Sequence, residues 1–323
     1  MLTIKGYSVN KQAVKIIKEK IVPFSEELGV GIIKLACGAT VVDMGINHPG
    51  GWMAAKLFTE IGLGGLGQCS FGKMYLDKYS VPTCVIHVAE PAIAEMASHV
   101  AYWRIVHKNK NITISGPIRA INGSDSFAKS VDYRDILAHE AVAMIQTTDI
   151  PDDDLAQYIA HTVDLKPVNL YIVVAPTAGI VGAIQVCARN VEQSLPSIFD
   201  RGFSMDKIVH AEGVSPIVSI VDDEMLAWGR VNDCLIYGQE SNIYVRCKDE
   251  EIESILEDLP FSKNKDVFGT PFMTLFNLCE NDWTKVPRNW DAPCKVNFYN
   301  VSTGNSYSTG IINYQLLKEN LLG

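Results

Sequence analysis

Arg189 and Glu192 stand three positions apart in the stretch 171–192, YIVVAPTAGIVGAIQVCARNVE. On a helix that spacing puts both side chains on one face, so a guanidinium and a carboxylate can meet at a common point. A carboxylate held in this way can take a proton from water as general base, and the cation beside it can stabilise a charged adduct. The same spacing also makes an ordinary solvated ion pair worth a few tenths of a kcal/mol, and spacing alone does not choose between the two. The elements that must position the pair are legible around it. Tyr171 to Val174 is a β-branched and aromatic strand run, Pro176 and Gly179 punctuate it, and Ile180, Ile184, Cys187, Val191 and Leu195 then recur at helical spacing.

Other motifs carry weaker chemistry. Gly62, Gly64 and Gly67 in GLGGLG satisfy the dinucleotide pattern G-x-G-x-x-G, but they follow a helical pattern, WMAAKLFTEI, instead of a strand. They read better as a loop, with Gly64 and Gly65 letting backbone approach a ligand. His139-Glu140 opens HEAVAM, yet Ala143 and Met144 stand where a zinc helix needs its second histidine, and no C-x-x-C exists for a zinc deaminase. No metal site is expected, and neither a P-loop nor a G-x-S-x-G elbow occurs. SGPIRA offers a Gly-Pro turn at Ser115, Gly116 and Pro117 with an arginine fork at Arg119, suited to phosphate or carboxylate. Asn232 and Asp233 precede the apolar run CLIY and read as turn formers at a strand entrance.

Composition sets outer limits. The chain has 323 residues, 47% hydrophobic and 20% charged, with a formal net charge of −9. No basic run is present to neutralise phosphates, so nucleic acid is not an expected partner. The first twenty residues lack an uninterrupted apolar core and are crowded with lysines, which excludes a signal peptide or membrane span and predicts an amphipathic helix with Val14, Ile17 and Ile21 inward. Eight cysteines without a C-x-x-C pair, such as Cys84 in VPTCVIHV, read as buried thiols of a cytoplasmic protein. On that reading the sequons at Asn111, Asn122 and Asn300 carry no glycan.

Along the chain, a hairpin is predicted over 31–44, a helix over 52–61, a buried strand over 82–89 and a helix over 91–106. The turn DIPDDDL precedes a helix over 152–163, where the aspartates suit a helix N-terminus. Further strands are predicted near 208–210, 236–237, 243–247 and 295–299, with helices over 250–259 and 313–321. A boundary near Lys166 divides the chain into a first domain, 1–165, carrying the glycine-rich loops, and a second, 166–323, opened by the Arg189/Glu192 helix, its C-terminal segment free to pack back on the first. Strands and helices mix without regular βαβ repetition, which favours an α+β fold.

With these pieces in order, the chain resembles the methenyltetrahydromethanopterin cyclohydrolase family over nearly its whole length. The likeness is carried by GATVVDMGIN and the following PG, GLGGLG, EPAIA, SGPIRA, VAPTAGIVGAIQVCARNVE, SPI with WGRVNDCLIYG, FGTPF and APCKVN. The resemblance implies two mixed α/β-type domains with a pterin-binding cleft between them, no metal or redox cofactor, a cytoplasmic location and a homo-oligomer, dimer or trimer. It implies a hydrolase of one-carbon metabolism that interconverts 5,10-methenyl-tetrahydromethanopterin and its N5-formyl form. It puts the catalytic arginine and glutamate on Arg189 and Glu192, with Glu192 as general acid and base and Arg189 keeping it ionised and oriented. The substrate-binding positions implied alongside them are Gly64, Gly65, Ser115, Gly116, Arg119, Thr177, Asn232 and Asp233.

Three positions depart from the family pattern. Near Gly213, where archaeal members read like GAGRCP followed by a second proline, this chain has AEGVSPIVS, with Val214 replacing the arginine and Ser219 the second proline. Glu90 stands where those members tend to have histidine. Two alternatives therefore stay open beside the hydrolase: a pterin-binding paralogue without turnover, motivated by 213–219, and a nicotinamide oxidoreductase resting on 62–67.

Overall fold

The structure, a computed structural model, describes residues 6–322. Residues 1–5, at the head of the segment read as an amphipathic helix, lie outside the described residues. The chain forms two compact units: residues 1–68 with 92–185, and residues 69–91 with 186–323. The boundary read at Lys166 falls within the first of these.

Strands appear along the chain as β1 (Gly31–Lys34) and β2 (Thr40–Asp43), then the neighbours β3 (Gly67–Leu76) and β4 (Tyr79–Ala89). Next come β5 (Trp103–His107), β6 (Lys110–Ser115), β7 (Ala141–Gln146) and β8 (Leu170–Ala175). The last group is β9 (Ile208–Pro216), β10 (Glu240–Val245), β11 (Lys295–Asn300) and β12 (Ser306–Gly310). They make two mixed six-stranded sheets, ordered β1-β2-β8-β7-β6-β5 and β12-β11-β10-β9-β4-β3. This is the α+β class that the irregular order of elements predicts.

In the first sheet β2, β8 and β7 run parallel, with antiparallel neighbours outside them. These central strands are near-continuous apolar runs such as LYIVVA, as strands covered on both faces require. One face packs Val41, Ala143 and Ile172 against Leu155 and Ile159 of the helix Asp153–Thr162. Asp152 caps that helix by accepting from Leu155 N–H at 2.9 Å. The N-terminal helix Val9–Ile16 continues as a π-helical turn, Ile17–Ile21, and buries Val14, Ile17 and Ile21 as its pattern predicts. Its Asn10 is fully buried, donating to Pro117 O at 2.8 Å and accepting from Val142 N–H at 3.1 Å.

Three expectations need correction. The helix predicted over 91–106 ends at His99, because Trp103, Ile105 and their neighbours alternate in and out and pair with β6 as strand β5. The strand predicted at 236–237 is instead the end of a long helix, Glu224–Gly238, started by Asp223, whose carboxylate accepts from Leu226 N–H at 2.8 Å. Asn232 and Asp233 therefore lie on a helix and form no turn. The helix read through Arg189 also breaks: Ile180–Cys187 gives way to a 3₁₀ turn, Ala188–Asn190, with Arg189 at φ −79°, ψ 24°, before a new helix, Leu195–Asp200, begins. Pro196 accounts for the restart, since it cannot donate within a continuing helix.

The turn from β8 into the helix Ile180–Cys187 is packed against its own backbone. A Cβ on Gly182 would stand 1.6 Å from Pro176 O, and one on Gly45 2.9 Å from the Pro176 ring. Replacing Gly182 with alanine should therefore lower the unfolding free energy by about 3 kcal/mol, because the clash is with a carbonyl and no rotamer relieves it. A urea titration checks this; an unchanged midpoint would contradict the packing described.

Candidate active site

The turn carrying Arg189 and Glu192 is fixed by the residues between and after them. Asn190 is fully buried and donates from Nδ2 to Cys84 O on β4 at 3.2 Å and to Ser215 Oγ on β9 at 3.3 Å. Ser215 in turn donates to Cys187 O. Glycine at 213 leaves room for the Asn190 side chain, since a Cβ there would stand 2.1 Å from Asn190 Oδ1. Gln193 Nε2 donates to Asp291 Oδ1 at 2.8 Å and to Ala292 O at 3.3 Å. Ser194 Oγ lies 2.7 Å from Ser241 Oγ on β10 and accepts from Gln239 Nε2 at 3.2 Å. Side chains 190, 193 and 194 thus spend their hydrogen bonds on the frame.

Arg189 and Glu192 form an ion pair with each other, their side chains 12% and 13% exposed. The pair is largely out of water yet reachable from it. Out of water to this degree, the pair is screened less than an ion pair on the surface. The arrangement gives one carboxylate and one permanently charged donor side by side, able to accept a proton and to stabilise a developing oxygen charge.

Cys234, fully buried, is pushed well above the usual thiol range by its hydrogen bond with Cys187 and by burial. All eight cysteines are free.

The substrate-binding positions read from sequence fall in both units. In the first, Gly64 and Gly65 turn the chain after the helix Trp52–Gly62 with φ of 60° and 74°. A Cβ on Gly64 would stand 2.5 Å from Val9, and one on Gly65 2.9 Å from Gln12, so these glycines let the turn lie on the N-terminal helix. Gly116, φ 94°, is packed by Met144, and Ser115 ends β6 with its hydroxyl 3.5 Å from Met144 O. The two glycine turns come together at Ser98, which donates to Gly62 O at 2.6 Å and accepts from Gly116 N–H at 3.0 Å. Thr177 is buried and receives a hydrogen bond from Gln146, which accepts one from Gln185 at 3.4 Å.

Arg119 is fully buried, and its fork is filled. Nε and Nη2 donate to Asp125 at 2.8 and 2.7 Å, Nη1 to Ser98 O at 2.9 Å, and Nη2 also to Met96 O at 3.1 Å. Asp125 is held below the usual carboxylate range: burial pulls upward, but Arg119 and the Ala128 N–H outweigh it. In this arrangement Arg119 ties the SGPIRA turn to 96–98 in place of presenting an open fork to an anion.

In the second unit, Asn232 donates to Trp228 O at 2.8 Å, a bond within its own helix. Asp233 accepts from Phe272 N–H at 2.7 Å, and one turn later Tyr237 takes Gly269 N–H at 3.0 Å and gives to Thr270 O at 2.6 Å. Together they grip FGTPF, residues 268–272. Sequence reading missed Gln193 and Asp291 beside the pair; nothing local marks Asp291, which lies about a hundred residues downstream in a polar loop. Among the described residues no group of three or more His, Cys, Asp or Glu side chains is placed to hold a metal, and no helix is long and apolar enough to cross a membrane.

A family model described as Cyclohydrolase (MCH) matches residues 8–321. The methenyltetrahydromethanopterin cyclohydrolase of Methanocaldococcus jannaschii is 34% identical over 319 residues, covering 97% of this chain and 98% of the relative. Proteins of the same name from Methanobrevibacter smithii and Methanococcoides burtonii are 31% and 33% identical over 318 and 316 residues, again covering 97% of this chain and 98% and 97% of theirs.

Burial pushes Asp233 up to about 7 against the pull of the Phe272 N–H. The native state therefore keeps a proton that the unfolded chain releases above its usual value of 3.8, and the stability this brings at low pH is lost as pH rises to about 7. Asp233→Asn keeps an acceptor for Phe272 and should be more stable than wild type above pH 7, by on the order of 2–4 kcal/mol, the gap closing below pH 4. Denaturation midpoints across this range test it, and a variant less stable at pH 8 would refute the assignment.

Proposed function

The chain belongs to the methenyltetrahydromethanopterin cyclohydrolase family, and from that premise we propose that it interconverts 5,10-methenyl-tetrahydromethanopterin and the N5-formyl compound, with Glu192 and Arg189 at the reacting carbon. The observation that carries the reading is the anchored, largely desolvated Arg189–Glu192 pair, borne on a turn whose other polar side chains are tied to the sheet.

The methenyl carbon belongs to an amidinium cation, so its electrophilicity is already present and the protein has to supply water and a proton route. Glu192 takes one proton as the water oxygen bonds to that carbon. The carbon–N10 bond of the tetrahedral adduct then breaks, N10 receives the proton from Glu192, and the hydroxyl proton leaves for solvent as the oxygen becomes the formyl carbonyl. One proton is released for each cation hydrolysed. Arg189 stays protonated throughout, orients the carboxylate and stabilises charge on the oxygen.

The departures near Gly213 fit a working enzyme. Gly213 and Ser215 are the residues that meet the Asn190 turn, and alternation along β9 turns Val214 to the opposite face of the sheet. The replacement of the family's arginine therefore leaves the support of the pair intact. Ser219, in place of the second proline, donates to Leu321 O at 3.1 Å. The same reading includes a pterin substrate without resident metal or redox cofactor, a cytoplasmic location and a homo-oligomer.

Loss of the methenyl absorbance on mixing the pure protein with the methenyl pterin tests the activity. Glu192→Gln should fold normally and lose turnover by about 10²–10⁴-fold, the usual scale of a positioned acid–base group. Full activity in that variant would end the mechanism, and tight binding without an absorbance change in the wild type would make the chain a binding paralogue.

A further inference from the structure

Two thiols meet inside the second unit, on the strands beside the Asn190 turn. Cys69 on β3 and Cys84 on β4 stand with their Sγ atoms 3.5 Å apart, both buried. A disulfide needs about 2 Å between its sulfurs, a gap that side-chain rotation on two neighbouring strands can close. β3 is the last strand in the order of its sheet, and Cys69 and Leu76 are its only buried residues, with Gln68 and Ser70 exposed on either side of Cys69. One strand of backbone therefore shields Cys69, and local opening of that strand reaches it without unfolding the unit. Cys84 lies one strand further in, opposite Ser215 on β9, and its carbonyl accepts from Asn190 Nδ2 at 3.2 Å. The other thiol contact, Cys187 with Cys234, joins two helices, and both of its residues are fully buried.

We propose that Cys69 and Cys84 are a redox-modification site: hydrogen peroxide converts them to a disulfide that ties β3 to the strand holding Asn190, and a dithiol reverses it. The Cys69 sulfur, reached first, attacks the O–O bond as its thiolate, giving a sulfenic acid and one water. The Cys84 sulfur then attacks the sulfenic sulfur, so that an S–S bond forms, the S–O bond breaks and the oxygen leaves as a second water. The two thiols give up two protons and two electrons to each peroxide molecule. In the reverse direction dithiothreitol attacks the disulfide, passes through a mixed disulfide and closes its own ring, which restores both thiols. The resting state is the dithiol present in the structure. Closing the loop of residues 69–84 restricts the unfolded chain, which makes the oxidised form the more stable one.

The test treats the reduced full-length protein with hydrogen peroxide, alkylates it in denaturant and maps its peptides by mass spectrometry without reduction. A 69–84 disulfide should dominate, with alkylatable thiols falling from eight to six and the chain losing about 2 Da. Dithiothreitol should restore both thiols, and the oxidised form should melt several degrees above the reduced one. Cys37 and Cys247, which are partly exposed, and the Cys187–Cys234 contact are the internal comparison. Oxidation of Cys37 or Cys247 that leaves Cys69 and Cys84 as thiols, or a 187–234 disulfide formed ahead of 69–84, overturns the inference. In Cys84→Ser the reaction should stop at a Cys69 sulfenic acid, trapped as its dimedone adduct, and an unmodified Cys69 overturns the assignment. The wild-type peptide map decides the matter whether or not that variant folds.

Discussion

Asn190 is the contact on which the candidate site depends. A buried amide donor has to find partners or forfeit its hydration, and the Asn190 Nδ2 finds them on two strands, at the Cys84 carbonyl and the Ser215 hydroxyl. The residues on either side inherit its position. Arg189 takes a backbone conformation outside the helical range, and Glu192 comes round to face it on a turn closed by Gln193 N–H to Arg189 O at 2.8 Å. Gly213 is the reciprocal constraint, an absent side chain that makes room for the amide oxygen. The geometry of the ion pair is thus set from outside it.

The first unit shows the same economy applied to its loops. The glycine turn at 62–65 and the Ser115–Gly116 turn are drawn to Ser98, and Arg119 spans from Asp125 to the carbonyls of Met96 and Ser98. Burying an arginine with its donors filled costs far less than leaving any of them unmatched, and removing one partner would strand the rest. A residue type associated with anion recognition serves here as a tie between backbone segments.

Much of the fold can be read from the sequence wherever pattern and punctuation agree. The hairpin at 31–44, the capped helix at 153–162 and the strand before Pro176 all combine periodicity with turn residues or an N-cap. Reading failed where tertiary pairing decided. Trp103 to His107 sits in a strand because β6 is there to bond it, and CLIYG sits in a helix because Asp223, ten residues earlier than Asp233, starts that helix. Family likeness singled out Arg189 and Glu192, but it could not supply the broken helix, the role of Asn190 or the proximity of Asp291. Those follow from strands and loops that are distant in sequence, and no local pattern encodes them.

The interleaving of the two units along the chain has a consequence for synthesis on the ribosome. The strands β3 and β4 emerge early, yet β9, the partner of β4 on its other side, begins only at Ile208. Until then the nascent hairpin carries an unpaired edge through the whole time the rest of the first unit is being made. Edges of that kind template association between chains, and pairing at long sequence separation closes slowly. Asp77 and Lys78 at the tip, and Lys73 within β3, place charge along that waiting segment. The second unit is therefore the one whose yield should depend most on chaperones and on growth temperature.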